Sequence, residues 1–212
     1  LFRSLVRHLL GMILLSAVLL PLGESAVAAT SDATIRLRPH CDQESACPEF
    51  PLYDNDTAIT YGLDQGDILD LDVVLHNPSS QHIQSVRSWL EYDTSILKGL
   101  EVRIGDDFPL VAPGEQAFSE SEGIVKLGAS NVSGGMKASE AVFARVKFQV
   151  LKETEETFYI RFYAFNLLGQ DGRTKALIVE NGRTINVLRS RPRDLRLYLD
   201  RKSTRLNSSH QI

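Results

Sequence analysis

The chain has 212 residues, 43% of them hydrophobic and 24% charged, and a formal net charge of −4. That is enough apolar material to bury a proper core, which excludes a disordered tail protein, and the charge disfavours nucleic acid or an anionic membrane as partner. Only 2 cysteines are present, too few for a disulfide-built miniprotein.

Residues 1–28 read as a signal peptide. Arg3 and Arg7 start it, an apolar run covers Leu9 to Leu22, and Ser25-Ala-Val-Ala-Ala-Thr30 offers small residues for cleavage after Ala28. The alternative is a retained anchor, but the run falls short of the ~18–20 apolar residues a span requires. After cleavage no membrane insertion is expected, and the chain is placed as secreted, periplasmic or on the cell surface. Residues 29–55 form an N-terminal extension containing Cys41 and Cys47. In an exported protein this pair is expected as a disulfide, a local staple contributing about 2 kcal/mol in the chain-entropy model. With His40 adjacent a metal site is the other reading, but it lacks a fourth ligand, so no metal is assigned.

The next segments alternate with a period of two, the mark of strands with one buried face. In Ile68–His76, Leu69, Leu71, Val73 and Leu75 share one side while Asp70, Asp72 and His76 share the other. Asn77-Pro-Ser-Ser80 is a turn cluster. In Val86–Tyr92, Val86, Ser88, Leu90 and Tyr92 point inward, and Arg87, Trp89 and Glu91 outward. Leu100–Ile104 is a shorter strand, and Pro109–Glu122 reads as a loop with a turn at Pro113-Gly114 and Phe118 as a plug. Gly123–Ala129 follows, and then Ala141–Val150 with Val142, Ala144, Val146, Phe148 and Val150 facing in. Thr157–Phe165 alternates again. Asn181-Gly182 is a hairpin dipeptide between Thr174–Glu180 and Arg183–Leu188, and Asp171-Gly172 is another such signal. Many short strands with turns between them and no sustained helical period predict an all-β, antiparallel β-sandwich of about nine strands.

The order of these features resembles that of the cohesin-type modules. Gly66-Asp67 before an alternating strand is similar to the family's opening, and Leu90-Glu-Tyr-Asp93 with Ile96-Leu97 resembles its Leu-x-Tyr-Asp-x-x-x-Leu stretch. Gly123-Ile-Val-Lys-Leu127 and Ala144-Arg-Val-Lys-Phe-Gln-Val150 resemble two later strands, and Gly182 to Val187 is compatible with the last. The resemblance covers residues 56–188 and implies a jelly-roll sandwich, non-catalytic, one exposed sheet of which receives a dockerin-like protein module. Residues 189–199 begin a linker or following segment. Residues 200–212, from Asp200-Arg-Lys-Ser-Thr-Arg on, resemble a translated sequencing adaptor and are expected to be non-native. Setting aside residues 1–28 (net +1) and 201–212 (net +3) takes the charge from −4 to −8.

No catalytic constellation emerges. His76 and His82 flank a turn with no nucleophile beside them, Gly-x-Ser-x-Gly and His-Glu-x-x-His are both missing, and Asp54-Asn-Asp56 lacks the ligand spacing of a calcium loop. An enzyme and a cofactor are therefore not expected. The outward parity of Trp89, Phe143, Tyr159 and Tyr163, with Arg87, Arg145 and Arg161, predicts an aromatic and cationic binding face if the strands share one sheet. The alternative is that the N-terminal segment covers it. The function predicted is protein–protein docking in a cell-surface or extracellular assembly. The alternative is a carbohydrate-binding module that stacks polysaccharide on the aromatic face.

Overall fold

The computed structural model describes residues 33–40, 59–61, 63–152, 154, 156–163, 172–188 and 191–199. The chain divides into two compact units, Leu1–Thr30 and Ser31–Ile212, and every described residue belongs to the second. The expected signal peptide, the Cys41–Cys47 disulfide and the adaptor-like tail all lie outside the described residues.

Thirteen strands carry the described fold, and no helix occurs among the described residues. In chain order they are β1 (Thr34–Pro39), β2 (Ile59–Tyr61), β3 (Ile68–His76), β4 (Ser85–Ser88), β5 (Leu90–Glu91), β6 (Leu97–Ile104) and β7 (Leu110–Ser119). There follow β8 (Ile124–Ser130), β9 (Glu140–Val150), β10 (Phe158–Phe162), β11 (Thr174–Glu180), β12 (Arg183–Asn186) and β13 (Leu195–Leu199). One sheet runs β1-β3-β9-β6. The other runs β12-β11-β4-β8-β5-β10-β13-β2, with β7 also paired to β8. All pairs are antiparallel except β13 with β2. β4 and β5 are one line of chain interrupted at Trp89: both pair with β8, while β4 takes β11 and β5 takes β10 on the far side.

Alternating side chains of both sheets form one core. Leu69, Leu71, Val73, Val146 and Phe148 come from the first sheet, and Val86, Leu90, Val125, Leu127 and Phe162 from the second. Tyr92, Phe118 and Phe148 meet with ring centroids 5.0 to 6.1 Å apart. Phe118 packs against Gly99, where a Cβ would stand 2.3 Å from its ring. Its plug role is thus realised against a strand that has left it room. The Asn181-Gly182 turn takes positive φ at both residues, 50° and 73°, as a two-residue hairpin joining right-twisted strands requires.

Three expectations need correction. Pro109–Glu122 is not a loop: most of it is β7, an edge strand paired to β8 and broken by a bulge between Val111 and Gln116. The extension contributes β1, and the segment after Leu188 contributes β13, so the strand count exceeds nine. Finally, Phe143 does not face outward. The β3–β9 register shifts between Val73 and Val74, which pair with Ala144 and Val142 and leave Phe143 as the extra residue. The inward–outward alternation flips there, Phe143 is fully buried against Phe108 at 5.3 Å, and Val142 is half-exposed.

β1 is fastened across the sheet as well as along it. Arg36 and Arg38 reach over β3 to opposite oxygens of Glu140 on β9, at 2.5 and 2.8 Å. Asp72, only 3% exposed, accepts from His40 Nδ1 at 2.8 Å and lies 3.7 Å from Arg38.

Candidate functional site

The outer face of the second sheet gathers most of the predicted binding residues around Trp89. Local parity puts the indole outside, because Ser88 and Leu90 on either side of it are fully buried. Its backbone stands where the sheet splits: the Trp89 N–H donates to Arg173 O at 3.2 Å, and Trp89 O accepts from the Tyr163 N–H at 2.8 Å. The end of β10 and the approach to β11 therefore converge on this residue. Tyr163 stacks beside the indole, with centroids 6.2 Å apart and planes 19° from parallel. The Arg173 guanidinium lies 4.6 Å from the ring centroid, and Lys126 Nζ lies 5.1 Å from it, reached from β8. β8 and β10–β11 flank Trp89 on opposite sides, so the two cations come to the ring from different strands.

Glu115 fixes this group. The β7–β8 register shifts between Val111 and Gln116, and in that bulge Gly114 adopts a φ of 73°. The bulge delivers the Glu115 carboxylate over Gly128, whose missing side chain leaves the space: a Cβ there would stand 2.9 Å from both Glu115 Cβ and Oε2. Glu115 is 8% exposed. It accepts from the indole Nε1–H at 2.5 Å and pairs with Arg87 at 3.1 Å. A charged acceptor on the indole and a cation behind it orient Trp89 more firmly than stacking alone.

Further along the face, Arg161 stands 5.1 Å over the Tyr159 ring, and both Tyr159 and Tyr163 are more than a third exposed. Lys175 is in register with Arg87, and Arg196 with Tyr159. At the β7–β8 hairpin, the Ser119 hydroxyl and then Lys126 hold the Glu122 carboxyl below the usual carboxylate range.

Arg87, Trp89, Tyr159, Arg161 and Tyr163 thus share one surface. Phe143, enclosed in the core, does not join it, and neither does Arg145, which is on the outer face of the other sheet. There Arg145 makes a two-pronged pair with Asp70, at 2.8 and 2.5 Å. Arg145 does point outward from β9, but parity within a strand does not say which sheet the strand enters. Sequence reasoning missed Glu115, Lys126 and Arg173. The one signal for Glu115 was Gly128, an isolated glycine inside a strand, which marks close approach by another group.

Among the described residues no group of three or more His, Cys, Asp or Glu side chains could hold a metal ion, and no helix is long and apolar enough to cross a membrane. The site is a surface of oriented rings and charges, and it sits on a jelly-roll-type β-sandwich. That class is a binding module. The cohesin domain family model matches residues 60–187, and the chain belongs to the cohesin family. Cohesin domains are non-catalytic docking modules, so residues 60–187 form a protein–protein interaction module.

Solved structures agree on the fold. The seventh type I cohesin of ScaB from Pseudobacteroides cellulosolvens is 13% identical with a TM-score of 0.56, over 84% of this chain and 98% of that one. A non-cellulosomal cohesin from the archaeon Archaeoglobus fulgidus is 14% identical with a TM-score of 0.51, over 84% of this chain and 99% of that one. The sixth cohesin of scaffoldin B from Acetivibrio cellulolyticus, solved with a Cel5 dockerin mutant, is 12% identical with a TM-score of 0.51, over 79% and 99%. At such identities the likeness concerns the fold. No curated protein sequence matches the chain.

Proposed function

We propose that the protein docks a dockerin-type module through the outer face of the β7–β8–β5–β10 sheet, as part of an assembly outside the cell. The observation that carries this reading is the Trp89 group: an indole held by Glu115, with Arg173 and Lys126 at 4.6 and 5.1 Å from its centroid and the exposed Tyr163 stacked beside it. Rigid aromatics ringed by arginines are what protein interfaces concentrate at their centres. The family membership and the cohesin solved with a dockerin partner support the class of ligand, and the signal-peptide-like start supports export. Stacking of a polysaccharide is the weaker reading, because Arg173 and Lys126 already lie 4.6 and 5.1 Å from the indole centroid.

Calorimetric titration with dockerin modules encoded alongside this chain tests the proposal. A 1:1 complex is expected, weakened at least ~10-fold by Trp89→Ala or Tyr159→Ala with circular dichroism unchanged, as for central interface residues. Silence with every such module, beside a responding cohesin control, would refute it. Retention in glycan affinity gels that is lost in Trp89→Ala would favour the polysaccharide instead.

A further inference from the structure

Resting on that docking reading, we propose that the partner protein presents an acidic surface, whose carboxylates pair with Arg161 and Arg173. The two outer faces of the sandwich handle their charges differently. On the β1-β3-β9-β6 face the cations of β1 and β9 are already engaged by carboxylates of the same face: Arg36 and Arg38 with Glu140, Arg145 with Asp70, and Lys147 with Glu101. Only Lys98 and Arg103 on the edge strand β6 stand outside these pairs among the described residues. The hydrogen bond from Lys147 holds the Glu101 carboxyl below its ordinary range. Across β1, β3 and β9 that face is closed to itself.

On the Trp89 face two carboxylates are already engaged, while two arginines are left on rings. Glu115 serves Arg87 and the indole, and Glu122 serves Ser119 and Lys126. Arg161 and Arg173 lie over Tyr159 and Trp89. Glu91 is directly across from Arg161 in the ladder, yet among the described residues no ion pair joins them. A cation over an aromatic face keeps its full charge and its hydrogen-bonding edge, so an incoming carboxylate can bind it without displacing another anion. The stacking meanwhile fixes the guanidinium in place, which lowers the ordering cost of the new pair.

The background charge sharpens the argument. Removing residues 1–28 (net +1) and 201–212 (net +3) leaves −8 against the chain's −4, so the cationic face stands on an acidic body. Screening over ~8–10 Å makes the local patch dominate at contact, while the rest of the surface repels an acidic partner arriving in other orientations. The arrangement selects both the partner's charge and its pose.

The test titrates the whole protein with a panel of dockerin modules whose exposed helical faces range from acidic to basic, at 50 and 500 mM sodium chloride. Acidic modules are expected to bind at least ~10-fold more tightly than basic ones at low salt and to lose most of that margin at high salt. The double substitution Arg161→Glu with Arg173→Glu should reverse the preference. Arg103→Glu, on the other sheet's outer face, should leave it intact. Dockerin binding that ignores module charge and salt would overturn this inference and leave the docking function standing. Failure of all modules would sink both. Binding of polygalacturonate with a steep salt dependence, and of no dockerin, would assign the cations to an anionic glycan and overturn the inference too.

Discussion

Glu115→Ala is the sharpest probe of the Trp89 group. The substitution removes an acceptor 2.5 Å from the indole nitrogen and the counter-ion 3.1 Å from Arg87. A hydrogen bond to a charged group contributes about 1.5–3 kcal/mol. The Arg87 side chain is 27% exposed, so water takes over much of its lost pairing and adds little to the cost. The expected loss is therefore about 2 kcal/mol, or ~4–8 °C in Tm for a domain of this size. Trp89 is the only tryptophan, so intrinsic fluorescence reports this one site without interference. Emission should shift to the red as the ring loosens into water, and acrylamide should quench it more readily. Glu115→Gln keeps an acceptor on the indole and should cost roughly half as much. Gly128→Ala should mimic the loss from the other side, since its Cβ would stand 2.9 Å from Glu115 Cβ. Unchanged emission and Tm in Glu115→Ala would refute the claim that this carboxylate orients the indole.

Three further outcomes follow from the geometry. Phe143→Ala should cost ~3–5 kcal/mol by chemical denaturation, as for a buried aromatic, whereas an outward Phe143 would be nearly silent. Glu140→Ala should release β1, seen as faster amide exchange across residues 34–39 than in β3 or β9; the partly exposed pairs to Arg36 and Arg38 limit the global loss to about 1 kcal/mol. The Tyr92 phenol is raised above its ordinary value by burial and then by Glu120, and among the described residues its hydroxyl has no partner. The folded state thus holds this proton more tightly than the unfolded one. Its contribution is full below pH ~10 and is lost as pH rises through the folded value. Tyr92→Phe should abolish that alkaline loss and leave neutral-pH stability unchanged or slightly higher, and equal alkaline slopes in the two proteins would contradict the assignment.

What the amino-acid order settled by itself was local. Period-two alternation placed Val86, Ser88, Leu90 and Tyr92 inside and Trp89 outside, and Asn181-Gly182 specified a hairpin, because side-chain direction in a strand and φ in a tight turn depend on immediate neighbours. What only the tertiary structure decided was register between distant strands. The slip at Val73/Val74 turned Phe143 into the core, and the bulge before Gln116 carried Glu115 over Gly128. The choice of sheet separated Arg145 from Arg87 and Arg161. Each of these outcomes joins residues far apart along the chain, where the energy of pairing depends on how two sheets fit together and no neighbouring residue carries the information.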